Sequence, residues 1–171
     1  MPYSDTRFDP LLVAFVIAMR ATKGRPLSVI DIGAGAGKTS KLIQNHVCVL
    51  DAIEAHAPYV KQFGLQAKYT EVHVCDVRTF ERLTKYDLAV MGDVMEHLSV
   101  VDAQILLKKL KWVRCIAYVQ VPFLYEQGAV DGVESERHLQ PDLTQAVMTV
   151  RYPTLQLIHA DDRLGCYYQM P

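Results

Sequence analysis

Two groups of residues in this chain could do chemistry. Asp93, Glu96 and His97 crowd one segment, and His138 ends a long polar stretch that begins at Gly128. At helical spacing, positions 93, 96 and 97 share a face. An imidazole titrates near neutrality, so His97 is the first candidate for a base or substrate contact. Glu96 stands beside it, and His138 is the second candidate. The commoner fates of such side chains are a helix cap, a packing histidine or an ordinary loop. The other group is a glycine turn, Asp31-Ile32-Gly33-Ala34-Gly35-Ala36-Gly37-Lys38-Thr39. Bare backbone lets a ligand approach the free N–H groups at a helix N-terminus.

Apolar and β-branched runs must position both groups. They are Leu27–Ile32, Val47–Glu54, Glu71–Asp76, Tyr86–Gly92, Val113–Phe123, Thr154–Ala160 and Gly165–Met170. Several are nearly continuous in apolar residues, which suits strands buried on both faces of a parallel sheet. Helical stretches lie between them. One runs from Lys38 to Gln44. Another is capped by Ser99, with Asp102 three residues on, and buries Val100, Ala103, Leu107 and Leu110. A third is opened by Gln140-Pro141-Asp142 and runs to about Val150. Asp9 as cap and Pro10 as first helical residue start an N-terminal helix. Only Asp161 to Leu164 separates the last two runs, too little for a crossover helix, so they form an antiparallel hairpin. The expected fold class is α/β: a three-layer α/β/α sandwich around a seven-stranded, mostly parallel sheet, with one antiparallel strand from the C-terminal hairpin. One domain over 1–171 is expected, with a cap helix in 1–23 and the core in 27–171. Ligands of such sheets sit beyond the carboxyl ends of the strands, where both groups fall.

The glycine spacing sorts the ligands. A phosphate-binding loop needs G-x-x-x-x-G-K-[ST]. Gly37-Lys38-Thr39 supplies its end, but residue 32 is isoleucine and Gly33 comes one residue late. A dinucleotide fingerprint needs G-x-G-x-x-G, and its third glycine falls on Lys38. The pattern [DE]-x-G-x-G-x-G fits Asp31, Gly33, Gly35 and Gly37 without adjustment. It resembles motif I of the class I S-adenosylmethionine-dependent methyltransferases, which have a Rossmann-like core. The resemblance continues at three later strand ends. The second run ends in Glu54, with Asp51 a weaker candidate inside it; a carboxylate there accepts from both ribose hydroxyls. Asp76 and Val77 match the positions that meet the adenine amino group and a ring nitrogen. Gly92-Asp93-Val94-Met95-Glu96-His97-Leu98 matches the segment that floors the cofactor pocket and faces the substrate.

By that resemblance Asp31, Gly33, Ala34, Gly35, Glu54, Ala55, Asp76, Val77 and Asp93 bind S-adenosylmethionine, with S-adenosylhomocysteine as product. Asp31 holds the amino group of the cofactor, directly or through water. Catalysis falls to His97, Glu96 and His138. D-x-x-E-H followed by a later histidine is also similar to the metal-binding pattern of some RNA 3′-end and quinone-precursor methyltransferases, which carry Glu where this chain has Asp93. Oxygen and imidazole ligands suit Mg²⁺ or Mn²⁺.

The acceptor is expected to be a small molecule, methylated on oxygen. The (D/N)-P-P-(Y/F) motif of amino-methylating nucleic-acid enzymes is absent after the fourth run, and Val121-Pro122-Phe123 lacks a Pro-Cys nucleophile. The formal net charge of −1 gives no footprint for nucleic acid. Specificity falls to Met1–Lys23 and to the loop from Phe123 to Gln140, whose polar part could fold over the site. Two rivals remain: a nucleotide- or dinucleotide-binding enzyme on the same fold, and a non-catalytic partner subunit that keeps the cofactor pocket. With 50% hydrophobic residues a disordered chain is excluded. Leu11–Met19 is too short to span a bilayer. Cys48, Cys75, Cys115 and Cys166 form no C-x-x-C pair and read as buried small hydrophobes in a reducing, cytoplasmic setting.

Overall fold

The computed structural model describes residues 5–130 and 132–171. Residues 1–4, at the head of the segment expected to help set specificity, and Asp131 in the polar stretch lie outside them. Among the described residues, strands and helices alternate as α1 (Asp9–Lys23), β1 (Leu27–Ile32), α2 (Lys38–Ile43), β2 (Val47–Glu54), α3 (Ala57–Gln62), β3 (Val72–Val74), β4 (Leu88–Gly92), α4 (Val100–Trp112), β5 (Ile116–Pro122), α5 (Gln145–Arg151), β6 (Gln156–Ala160) and β7 (Leu164–Gln169). The seven strands form one sheet in the order β3-β2-β1-β4-β5-β7-β6. β1 and β3 run parallel to β2, while β7 is antiparallel to β5 and β6. This is the expected α/β class with its C-terminal hairpin. The chain divides into two compact units, one ending at Val90 and the other running from Met91 to Pro171.

Burial follows the apolar runs. In β1, Leu27, Val29, Ile30 and Ile32 are at most 1% exposed, and in β5 every residue from Ile116 to Val121 is buried. Each such aliphatic side chain contributes roughly 1.5–3 kcal/mol on leaving water. The edge strands β3 and β6 consist of exposed and half-buried positions apart from the buried His73. The same contrast corrects the reading of the cysteines. Cys115 and Cys166 are buried, but Cys48 is exposed and Cys75 half-buried. Cys48 lies in the exposed opening of β2 and Cys75 just follows the edge strand, so neither is covered on both sides.

Helix starts depend on tertiary contacts. Ser99 caps α4 as expected, its Oγ accepting from the Asp102 N–H at 3.0 Å. Asp9 is not the cap of α1 but its first residue. Phe8 takes the cap position with a buried ring that has no hydrogen-bonding atom, and Asp9 pairs instead with Lys38 Nζ at 3.0 Å. The third helix starts at Gln145 rather than at Gln140. Thr144 caps it by accepting from the Val147 N–H at 3.1 Å, and Gln140 and Leu143 are buried elsewhere.

Asp87, just before β4, ties the unit ending at Val90 together. It accepts from the Ser28 N–H at 3.0 Å and the Ser28 hydroxyl at 3.1 Å, and pairs with Arg25 at 2.8 Å and Lys23 at 3.1 Å. Burial raises its pKa, but these partners outweigh burial and hold it far below the ordinary range. Its stabilisation is therefore present above the unfolded value, about 3.9, and is lost as pH falls below it. Asp87→Ala strands the Ser28 N–H and is expected to cost about 1–3 kcal/mol in denaturant titrations near neutral pH. An unchanged midpoint would show that the Ser28 contacts contribute nothing.

Candidate functional site

In the unit ending at Val90, the chain leaves β1 through Gly33, Gly35 and Gly37, with φ of +73°, +49° and +77°. These left-handed positions suit residues without a Cβ. A Cβ on Gly37 would also lie 2.8 Å from Lys68 Cδ. The Gly33 and Ala34 N–H groups donate to the Ile53 carbonyl at 2.9 and 3.1 Å, which fastens the turn to the end of β2. Glu54 comes next and is 6% exposed. Its Oε2 accepts from the Gly35 N–H at 2.9 Å and its Oε1 from the His56 N–H at 2.8 Å. Ala55, beside it, is exposed. Asp51, the weaker candidate, turns to Tyr86 instead, accepting from its hydroxyl at 2.7 Å.

Asp31 is 2% exposed and clamped on both oxygens, by Thr39 Oγ1 at 2.9 Å and the Tyr69 hydroxyl at 2.5 Å. Burial pushes its pKa up to about 7, against the opposing pull of these two donors. Thr39 was visible in the sequence as the tail of the glycine motif; Tyr69, distant in sequence, carried no local signal. Asp76 meets a different partner from the one expected. The Arg78 guanidinium and N–H occupy its carboxylate, with contacts of 2.6–3.0 Å, and hold its pKa below the usual range. An adenine amino group would have to share these oxygens with a side chain that is 55% exposed and able to swing aside. Val77 is buried directly after it.

The second cluster belongs to the unit from Met91 to Pro171. Asp93 has φ +56°, a conformation aspartate tolerates better than most residues. Its N–H donates to the Gln120 carbonyl at 2.9 Å. The helical face expected across 93–97 is therefore absent: Asp93 lies outside a short 3₁₀ turn, Met95–His97. A different device gathers the side chains. The Leu139 and Gln140 N–H groups both donate to the Glu96 carbonyl, at 2.7 and 3.1 Å. Gln140 Nε2 donates to the Met95 and Leu98 carbonyls at 2.9 and 3.0 Å. These bonds pin the end of the polar stretch to the turn and put the His97 and His138 ring centroids 4.7 Å apart. Gln140, 2% exposed, is a positioning residue that nothing in the sequence flagged.

The two imidazoles present the same nitrogen. His138 Nδ1 lies 2.7 Å from the Tyr125 carbonyl, and His97 Nδ1 lies 3.2 Å from that of Arg137. A carbonyl only accepts, so Nδ1 carries the proton in each ring and Nε2 keeps its lone pair. Burial lowers both pKa values, and His138 lowers that of His97 further, so both rings are neutral near pH 7. Glu96 is 1% exposed, and neither carboxylate oxygen has a hydrogen-bond partner among the described residues. Burial and the Asp93 charge drive its pKa well above the usual range. Glu96, His97 and His138 each place a ligand atom within 4.8 Å of the others.

No family model matches the chain, and no curated protein matches it in sequence. Its likeness is to solved structures. A Burkholderia thailandensis 1,6-didemethyltoxoflavin-N1-methyltransferase, with 1,6-didemethyltoxoflavin and S-adenosylhomocysteine bound, superposes with a TM-score of 0.65 at 14% identity, over 97% of this chain and 79% of that one. The N-methyltransferase NodS of Bradyrhizobium japonicum WM9 gives 0.61 at 15% identity, over 96% of each chain. The magnesium protoporphyrin IX methyltransferase of Synechocystis PCC 6803, with S-adenosylhomocysteine bound, gives 0.60 at 14%, over 92% and 81%. The chain thus has the fold of the class I S-adenosylmethionine-dependent methyltransferases. No helix among the described residues is long and apolar enough to cross a membrane.

Proposed function

We propose that the chain is an S-adenosylmethionine-dependent methyltransferase acting on a hydroxyl of a small molecule. The observation that carries this is Glu54, a buried carboxylate held by the Gly35 and His56 N–H groups beside three left-handed glycines. A fixed, doubly anchored buried carboxylate suits a ribose diol. Bound there, the cofactor supplies a methyl group on a sulfonium, which the acceptor oxygen takes in line as the carbon–sulfur bond breaks. Gly33, Ala34, Gly35 and Ala55 offer backbone to the cofactor, Val77 its N–H and Asp76 its carboxylate, with Asp93 at the floor. The neutral Nε2 of His97 accepts the hydroxyl proton, with His138 as second base. Three solved structures of this fold named as methyltransferases, two of them N-methyltransferases and one with 1,6-didemethyltoxoflavin bound, support methyl transfer as the reaction class.

Calorimetry with S-adenosylhomocysteine tests the proposal; folded protein that binds none at millimolar ligand defeats it. The pH dependence tests Asp31 separately. Only its charged form attracts the cofactor ammonium, so affinity is expected to climb as pH rises through about 7. The linked stability has the opposite sense. The contribution of Asp31 to the unliganded fold is full below the unfolded value of about 3.9 and is lost as pH rises through about 7. Tyr69→Phe removes a bond that favours the charged form and should move the affinity midpoint to higher pH. A flat affinity between about pH 5.5 and 8.5 would remove Asp31 from the amino-group contact.

A second role for the Glu96 cluster is favoured by its unsatisfied atoms. Two Glu96 oxygens without partners and two imidazole Nε2 lone pairs form a donor set that fits Mg²⁺ or Mn²⁺. Each ring spends its Nδ1–H on a carbonyl, the arrangement that orients metal-binding histidines. A cation there would take up the His97 Nε2 lone pair and replace its action as a base by polarising the acceptor hydroxyl.

A further inference from the structure

A separate group of side chains lies on β2 and around β3. Asp51 is on β2, and the Ala52 N–H donates to the Glu71 carbonyl at 2.8 Å. His73 pairs in register with Ile53. Strand alternation therefore puts Asp51, Glu71 and His73 on one face of two hydrogen-bonded strands. Asp51 is 4% exposed and His73 7%, while Glu71 is exposed. Each offers a ligand atom within 4.8 Å of the other two.

The hydrogen bonding of this group does not close. Asp51 Oδ2 accepts from the Tyr86 hydroxyl, but its Oδ1 is buried without a partner, and so is His73 Nε2. His73 Nδ1 lies 3.1 Å from the Arg82 guanidinium and 3.3 Å from Glu71 Oε1. If Nδ1 accepts from Arg82, the buried Nε2–H has no acceptor. A cation in place of the guanidinium would let a ring nitrogen act as a ligand beside the unpartnered Asp51 Oδ1. Charge leads the same way. Asp51 is buried against a neutral phenol, and Glu71 pairs with the Arg82 guanidinium at 3.5 Å. That guanidinium is 53% exposed and free to turn to solvent.

We propose that Asp51 Oδ1, a ring nitrogen of His73 and the Glu71 carboxylate bind a divalent transition-metal ion, zinc in the first instance, with Glu71 closing the site from the solvent side. One imidazole and two carboxylates suit zinc, with water as a fourth ligand. The ion would lock β3 onto β2 and neutralise Asp51. This is independent of the methyltransferase reading and of the Glu96 cluster, so either stands if the other fails.

Crystals grown with zinc chloride, measured at the zinc absorption edge, test it. An anomalous peak bounded by Asp51, Glu71 and His73, lost in His73→Ala crystals, is the expected result. A water-sized, non-anomalous peak bridging Asp51 Oδ1 and His73 Nε2, or no peak, overturns it. Zinc calorimetry in the Glu96→Gln background provides a readout if His73→Ala fails to fold. Glu71→Gln, altered at an exposed position, is expected to weaken that binding by about tenfold or more; equal affinity overturns the site.

Discussion

Glu54→Ala is expected to weaken S-adenosylhomocysteine binding by about 1.5–3 kcal/mol, or roughly ten- to a hundredfold. The carboxylate is set before any ligand arrives: the Gly35 N–H fixes one oxygen at 2.9 Å and the His56 N–H the other at 2.8 Å. Little ordering cost is then left for binding. Glu54→Gln separates charge from shape. Its amide presents one acceptor and one donor where two backbone donors require two acceptors, so it should lose most of the same affinity. Calorimetry of both variants beside the wild type, with circular dichroism to confirm folding, is the measurement. Unchanged affinity in Glu54→Ala would remove Glu54 from the cofactor site and leave the glycine turn as a connection only.

Glu96→Gln should produce the largest loss of turnover, about a hundredfold, because it removes the carboxylate ligand of the cation that would polarise the acceptor hydroxyl. It should leave S-adenosylhomocysteine binding intact. The wild type is expected to lose turnover on chelation and to regain it with Mg²⁺ or Mn²⁺, while Glu96→Gln responds to neither. The reason is physical: a carboxylate that is 1% exposed with no hydrogen bond to either oxygen must stay protonated or meet a cation. Wild-type turnover indifferent to both chelator and added cation would end the metal reading and leave His97 as an unassisted base. Glu96→Gln turning over at the wild-type rate would remove Glu96 from catalysis altogether.

Much of the fold was legible because its signals are local. β1 and β2 have the boundaries of their apolar runs, since nearly continuous apolar sequence marks the stretches that the sheet buries. Four residues between the last two runs allowed only a hairpin, and β6 and β7 pair antiparallel. The helix start expected at Gln140 failed for a non-local reason. That stretch satisfies the carbonyls of Met95, Glu96 and Leu98, which lie more than 40 positions away. The expected helical face over 93–97 failed because Asp93 adopts φ +56°, a conformation no periodicity reveals.

By itself the sequence determined the strand runs, the glycine turn with its three left-handed positions and the acidic residue that ends β2, because each depends on residue type and on spacing along a few turns of chain. Only the tertiary structure decided what each carboxylate meets. Glu54 lies on backbone N–H groups, Asp31 between Thr39 and Tyr69, Asp76 against Arg78, and Glu96 beside two neutral imidazoles. Charge state and reactivity follow from those surroundings, and burial and long-range hydrogen bonds exist only once the chain has folded.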